Sequence, residues 1–206
     1  GNEDYLKQFY AERICKIFVT EGSETFCLRK YDGKENTLDD VLEGAESMPF
    51  MSEYCVVVAR DFPLDTLASD EKDKLIAFLE NQPDTSITIF WMDGIEVQPK
   101  TSKWDWVVSN FTKYATAVNF EKPEGRNLLK LLCAYASKQG CMMNENTASY
   151  LVEVSGDSLN VLFNEIQKAV NFAGQGNEIT RECIDSVAVR SLEAKIFDLS
   201  KLILNG

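Results

Sequence analysis

The 206-residue sequence contains no histidine. That absence excludes Ser-His-Asp and Cys-His nucleophile systems, HExxH metal sites and imidazole acid-base catalysis together. Its six cysteines, Cys15, Cys27, Cys55, Cys133, Cys141 and Cys183, are scattered and form no CxxC pair. Neither a zinc site nor a thioredoxin-like motif is supported, and they read as buried free thiols. Basic residues are scarce: 21 stand against 33 acidic ones, for a formal charge of −12. That balance argues against a broad nucleic-acid surface, because phosphate binding relies on clustered Lys and Arg; a local basic patch remains open. No apolar run approaches the ~18 residues a membrane span needs. The N-terminus also lacks the basic-then-apolar order of a secretory signal. The chain is therefore expected to be soluble and cytoplasmic. Its apolar fraction of 45% is enough for a real core, in one large domain or an ordinary one plus a small one.

The apolar residues are ordered by period. Leu6, Phe9, Tyr10, Ile14, Ile17 and Phe18 follow the spacing of an amphipathic helix. The stretch 25-TFCLRKYDG-33 alternates and ends in Asp-Gly, which predicts a strand closed by a turn. Thr37 can cap a short helix through Ala45, with Asp39 and Asp40 in its first turn. Strands are predicted at 54-YCVVVA-59, 86-SITIFW-91 and 115-ATAVNF-120, and helices from Ser69 or Asp70 to Leu79 and over 103-KWDWVVSNFTKY-114. Continuous Val and Ile runs alternating with helices indicate an α/β domain with a parallel sheet covered on both faces. Beyond the linker candidate 121-EKPEG-125 every segment has helical period, with Asn144 and Thr180 as caps and Gly156 as a stop. A last helix is expected to begin near Leu192.

Few residues suggest chemistry. In 1-GNEDYLKQF-9 a glycine precedes a helix, where a phosphate loop would sit. GxxxxGK[ST] needs two glycines, a Lys and a hydroxyl, whereas Asn2, Glu3 and Asp4 offer negative charge; helix capping is the simpler reading. Asp61, just after a strand, is a candidate magnesium ligand, but a lone Asp there is more often a turn residue. Trp104 and Trp106 face different ways on a helix and read as packing residues. The stretch 47-SMPFMSEYCVVVAR-60 loads a turn with Met48, Pro49, Phe50 and Met51. Either Phe50 folds back under the sheet edge, or the turn is an apolar tip for another protein.

Taken in order and spacing, 1-GNEDYL-6, 46-ESMPFMSEYCVVV-58, 155-SGDSLNVLFNEIQKA-169, 179-ITRECIDSV-187 and 196-IFDLSKLILNG-206 resemble the delta subunits of the bacterial DNA polymerase III clamp loader. The resemblance spans essentially the whole chain. It implies an AAA+ (P-loop NTPase-like) α/β domain over 1–121, a helical lid over 122–190, and over 191–206 the start of a linker helix towards a collar domain that is absent, as is the family's first strand before Gly1. The phosphate loop, Gly1, Asn2, Glu3 and Asp4, is degenerate in this comparison, and after Gly156-Asp157 the arginine often seen in the lid is replaced by Ser-Leu-Asn. The family implies no catalytic residue, cofactor or metal. It implies a replisome-associated subunit that binds the sliding clamp and holds one ring interface open, alongside other loader subunits, with DNA contacted at most indirectly or weakly and no membrane. Its clamp contact, an apolar pair at a helix tip before a strand, falls on Pro49 and Phe50, flanked by Met48 and Met51. Pro49 stands where a Leu is familiar, so Phe50 carries most of the inherited role. The competing readings are an active AAA+/P-loop-type ATPase, which the loop's lack of Lys-Ser/Thr opposes, and a hydrolase on a doubly wound sheet, which has neither His nor a GxSxG elbow.

Overall fold

The computed structural model describes residues 1–50, 52–95, 97–98 and 101–189. Their contacts divide the chain into two compact units, the first ending at Lys122 and the second starting at Pro123.

The first unit is built on β2 (Cys55–Arg60), five of whose six residues are buried. Its Val-rich run suits a strand covered on both faces. β1 (Leu28–Asp32) and β3 (Ser86–Trp91) flank it in a parallel sheet ordered β1-β2-β3, with Lys30 opposite Val58 and Val58 opposite Ile89. Because side chains alternate along a strand, Cys55, Val57 and Ala59 share one face. They pack into a core with Val41 and Leu42 of α3 (Leu38–Glu46), Leu75 and Phe78 of α4 (Ser69–Asn81), and Trp104 and Val107 of α5 (Ser102–Tyr114). Trp106 is only partly buried and lies beneath the Lys72 ammonium, 5.3 Å from its ring centroid, so both tryptophans pack as their spacing suggests. Val58, on the other face, lines a cavity with Ala11 and Cys15 of α1 (Asp4–Phe18).

Local chemistry sets the element ends. Thr37 caps α3: its Oγ1 accepts from the Asp40 N–H at 3.2 Å, and its own N–H donates to the Asp40 carboxylate at 2.7 Å. Such a reciprocal box satisfies two N–H groups that a helix start leaves without partners.

Two expected strands differ. The segment from Thr25 opens as a helical turn, α2 (Glu24–Cys27), because the Ser23 carbonyl accepts from the N–H groups of both Phe26 and Cys27; β1 therefore starts only at Leu28. The stretch 115–120 forms no strand. Strand identity needs a ladder partner, and here Phe120 O accepts from Glu3 N–H at 3.1 Å while residues 115–119 lie exposed.

The second unit contains α6 (Gly125–Lys138), α7 (Glu145–Ser155), α8 (Leu159–Ala173) and α9 (Arg181–Val187). Leu132, Leu151, Leu162, Ile166 and Ile184 are fully buried in it. Asn144 caps α7 through the Thr147 N–H at 2.9 Å, and Gly156 ends it at φ +83°, a backbone state that glycine adopts freely. Thr180 caps α9. The expected helix near Leu192 and the proposed linker segment 191–206 lie outside the described residues.

All six cysteines are free; four are buried, and Cys15 and Cys133 are half-buried.

Candidate functional site

The loaded turn begins where α3 stops. Gly44 lets the helix pass close to Tyr31, since a Cβ there would meet the phenol oxygen at 2.4 Å. Ser47 Oγ then donates to the Gly44 carbonyl at 2.6 Å, satisfying one of the carbonyls a helix end leaves open, and the chain turns extended. Met48 follows, 91% exposed, then half-buried Pro49 and Phe50, 63% exposed. Met51 lies outside the described residues. The turn is thus an outward tip at the edge where β2 begins. Phe50 does not fold under the sheet.

The tip has a neighbour that alternation in the sequence concealed. Read as part of a strand, Phe26 would alternate with its neighbours along a sheet face; in α2 it is 47% exposed and stands against Phe50, with ring centroids 5.7 Å apart and planes 65° apart. β1 and β2 are parallel, so the segments entering them meet at one edge of the sheet. Only the parallel pairing brings these rings together.

At the start of α1 the chain occupies its own anion position. A Cβ on Gly1 would lie 1.8 Å from the Phe120 carbonyl oxygen, so only glycine fits there. Asn2 Oδ1 accepts from the Lys122 N–H at 2.8 Å. Glu3, 6% exposed, turns its carboxylate onto the Tyr5 N–H at 3.1 Å, where a phosphate oxygen would otherwise meet the helix N-terminus. Burial pushes its pKa up, while the Tyr5 and Leu6 N–H groups partly oppose that shift. Asp4 lies in the first turn, and Lys7 donates to it and to the Met92 carbonyl, each at 2.7 Å. Lys7 is therefore already engaged.

Asp61 is a structural residue. It is 3% exposed and sits at φ +54°, where L-residues other than Asn and Asp are rare. Its Oδ1 accepts from the N–H groups of Asp93 at 2.7 Å and Gly94 at 2.8 Å, and the Arg60 Nε lies 3.3 Å from Oδ2. Burial alone would raise its pKa, but the N–H groups of Asp93, Gly94 and Ile95, with Arg60, hold it below the usual value. The carboxylate pins the loop after β3, in keeping with the turn role favoured by its position.

The cavity of about 560 Å³ between α1 and the sheet is lined by Lys16, Lys30 and Arg60 but also by Glu12, Asp32 and Glu35, a balance that selects no ligand class. Among the described residues no cluster of carboxylates and thiols suits a metal ion, and no helix is long and apolar enough to cross a membrane.

A glycine-led helix on a parallel sheet, followed by a helical bundle, defines an α/β protein with a helical second unit. Residues 1–121 match the family model described as DNA polymerase III, delta subunit, and the chain belongs to that family. Among its relatives, DNA polymerase III subunit delta of Bacillus subtilis (strain 168) is 27% identical over 210 residues, covering all of this chain and 60% of the relative. The solved structure of the Bacillus subtilis DNA clamp loader delta protein superposes with a TM-score of 0.79 at 25% identity, over all of this chain and 61% of that one. The chain thus spans about three fifths of the length of both.

Proposed function

We propose that the chain acts without catalysis of its own, as the clamp-loader subunit that binds a sliding clamp through the tip at Met48, Pro49, Phe50 and Met51 and favours the ring's open state. The observation that carries this reading is Phe50, 63% exposed on a turn anchored at one end by α3 and at the other by the buried strand β2. A large ring held out on a fixed support is a typical interface anchor. Insertion into an apolar pocket on the clamp stabilises the ring state that accepts it, by no more than the difference in affinity between the two states. Other loader subunits are the further partners, and DNA is contacted at most indirectly or weakly, in line with the net charge of −12.

The α1 N-terminus supports the non-catalytic part. A nucleotide phosphate there would meet the Glu3 carboxylate and a lysine already bound to Asp4 and Met92, so nucleotide affinity is low on electrostatic grounds. Equilibrium dialysis with labelled ATP tests this, and micromolar binding would favour the ATPase reading instead.

The clamp reading is tested by Phe50→Ala in surface plasmon resonance against the sliding clamp of the same organism. Truncating such an anchor costs about 2–4 kcal/mol, or roughly 30- to 1,000-fold in affinity. Binding by the mutant within threefold of the parent would sink the proposal.

A further inference from the structure

We infer that Phe26 is a positioning residue of the same tip, a fixed wall that sets the Phe50 ring in the orientation its partner receives; this rests on the clamp-binding reading above. Phe26 is held by its neighbour in the chain. Cys27 is buried, its N–H donates to the Ser23 carbonyl at 3.1 Å, and its thiol lies 3.2 Å from Ser23 Oγ. With Cys27 turned into the protein, Phe26 is 47% exposed and meets Phe50 edge to face, in the arrangement aromatic pairs prefer.

Phe50 stands on a turn and has no helix or ladder of its own to restrict it. Without a wall its ring would sample several rotamers, and binding would have to freeze one of them. Freezing a side chain costs roughly 2- to 12-fold in affinity, so a ring already ordered by Phe26 binds tighter by about that factor. The two rings together form one apolar surface built from two segments far apart in sequence.

The test is a double-mutant cycle in the full-length protein, read as the dissociation constant for the sliding clamp. Phe26→Ala is expected to weaken binding by about 2- to 12-fold, and the same change in a Phe50→Ala background is expected to have less than a twofold effect. Phe26→Tyr, which keeps the ring edge, restores the parent affinity, whereas Phe26→Leu, which keeps bulk and guards against misfolding, restores it only in part. A merely structural role would lower the melting temperature without this dependence on Phe50. If Phe50→Ala weakens binding and Phe26→Ala and Phe26→Leu do not, the inference is overturned and the clamp reading stands. An equal Phe26 effect in both backgrounds also overturns it, since Phe26 would then be an independent contact. If Phe50→Ala itself changes nothing, the clamp reading fails and this inference falls with it.

Discussion

Replacing Asp61 separates a structural carboxylate from a magnesium ligand, because the two roles respond differently to the same substitutions. The N–H groups of Asp93 and Gly94 both converge on one oxygen, Oδ1, at 2.7 and 2.8 Å. Asp61→Ala leaves both without their acceptor and puts alanine at φ +54°, which it tolerates poorly. Hydrogen bonds to a charged group contribute about 1.5–3 kcal/mol each, so the loss comes to about 3–5 kcal/mol after partial rehydration. Asp61→Asn can present its own Oδ1 to the same two donors and accepts the left-handed conformation; it loses chiefly the ionic partner of Arg60, about 1 kcal/mol. Urea unfolding followed by tryptophan fluorescence is the assay. Trp91, Trp104 and Trp106 are the three tryptophans of the sequence and all lie in the first unit, so the signal reports that unit by itself. The alanine midpoint should fall by about 1–3 M urea and the asparagine midpoint by well under half of that. The dependence on pH has a definite sign. The folded carboxyl titrates below its ordinary value of 3.8, so its stabilisation is complete above that value and lost as pH falls through the folded pKa. The gap between parent and Asn variant therefore closes in acid. Equal losses for Asn and Ala, or an Ala variant within 1 kcal/mol of the parent, would refute the structural assignment.

Glu3 carries the opposite sign: burial raises its pKa above 4.5, so stability is highest below that value and declines as pH rises through the folded pKa. Glu3→Gln keeps an oxygen for the Tyr5 N–H and should flatten that decline in thermal melts taken from pH 4 upward; a parallel pair of curves would contradict it. Gly44→Ala should destabilise by about 1–3 kcal/mol despite alanine's better helix propensity, because the new methyl meets the Tyr31 phenol. Tyr31→Leu in the same chain should recover part of that loss, and a stabilised Gly44→Ala protein would show that the contact gives way. Phe50→Ala should leave the melting temperature within a few degrees of the parent, since a largely exposed ring contributes only about 0.5–1 kcal/mol to the fold. A collapse in stability would mean that any loss of clamp binding reports unfolding.

Features that depend on neighbours in the chain were legible in the sequence. The caps at Thr37, Asn144 and Thr180, the stop at Gly156, and the strands around Val57 and Ile89 stand where local hydrogen bonding and side-chain period put them. The apolar load of the turn at Met48, Pro49 and Phe50 is legible in its residues, but whether it faces in or out is not a local property. The position of Phe26 is masked in the sequence because Thr25 to Asp32 alternates well enough for a strand; the signal against a strand is Ser23, whose carbonyl closes a helical turn just before. The stretch 115–120 has strand composition, yet composition supplies no ladder.

By itself, then, the sequence determined the chemistry that is excluded, most of the element types and the α/β-then-helical order, because these follow from residue type and spacing. Only the tertiary structure decided that Phe50 faces outward against Phe26, that Glu3 fills the helix's anion position, and that Asp61 pins a backbone loop. Each of those rests on where parallel strands and close backbone approaches place residues distant in the chain, and no local rule encodes that placement.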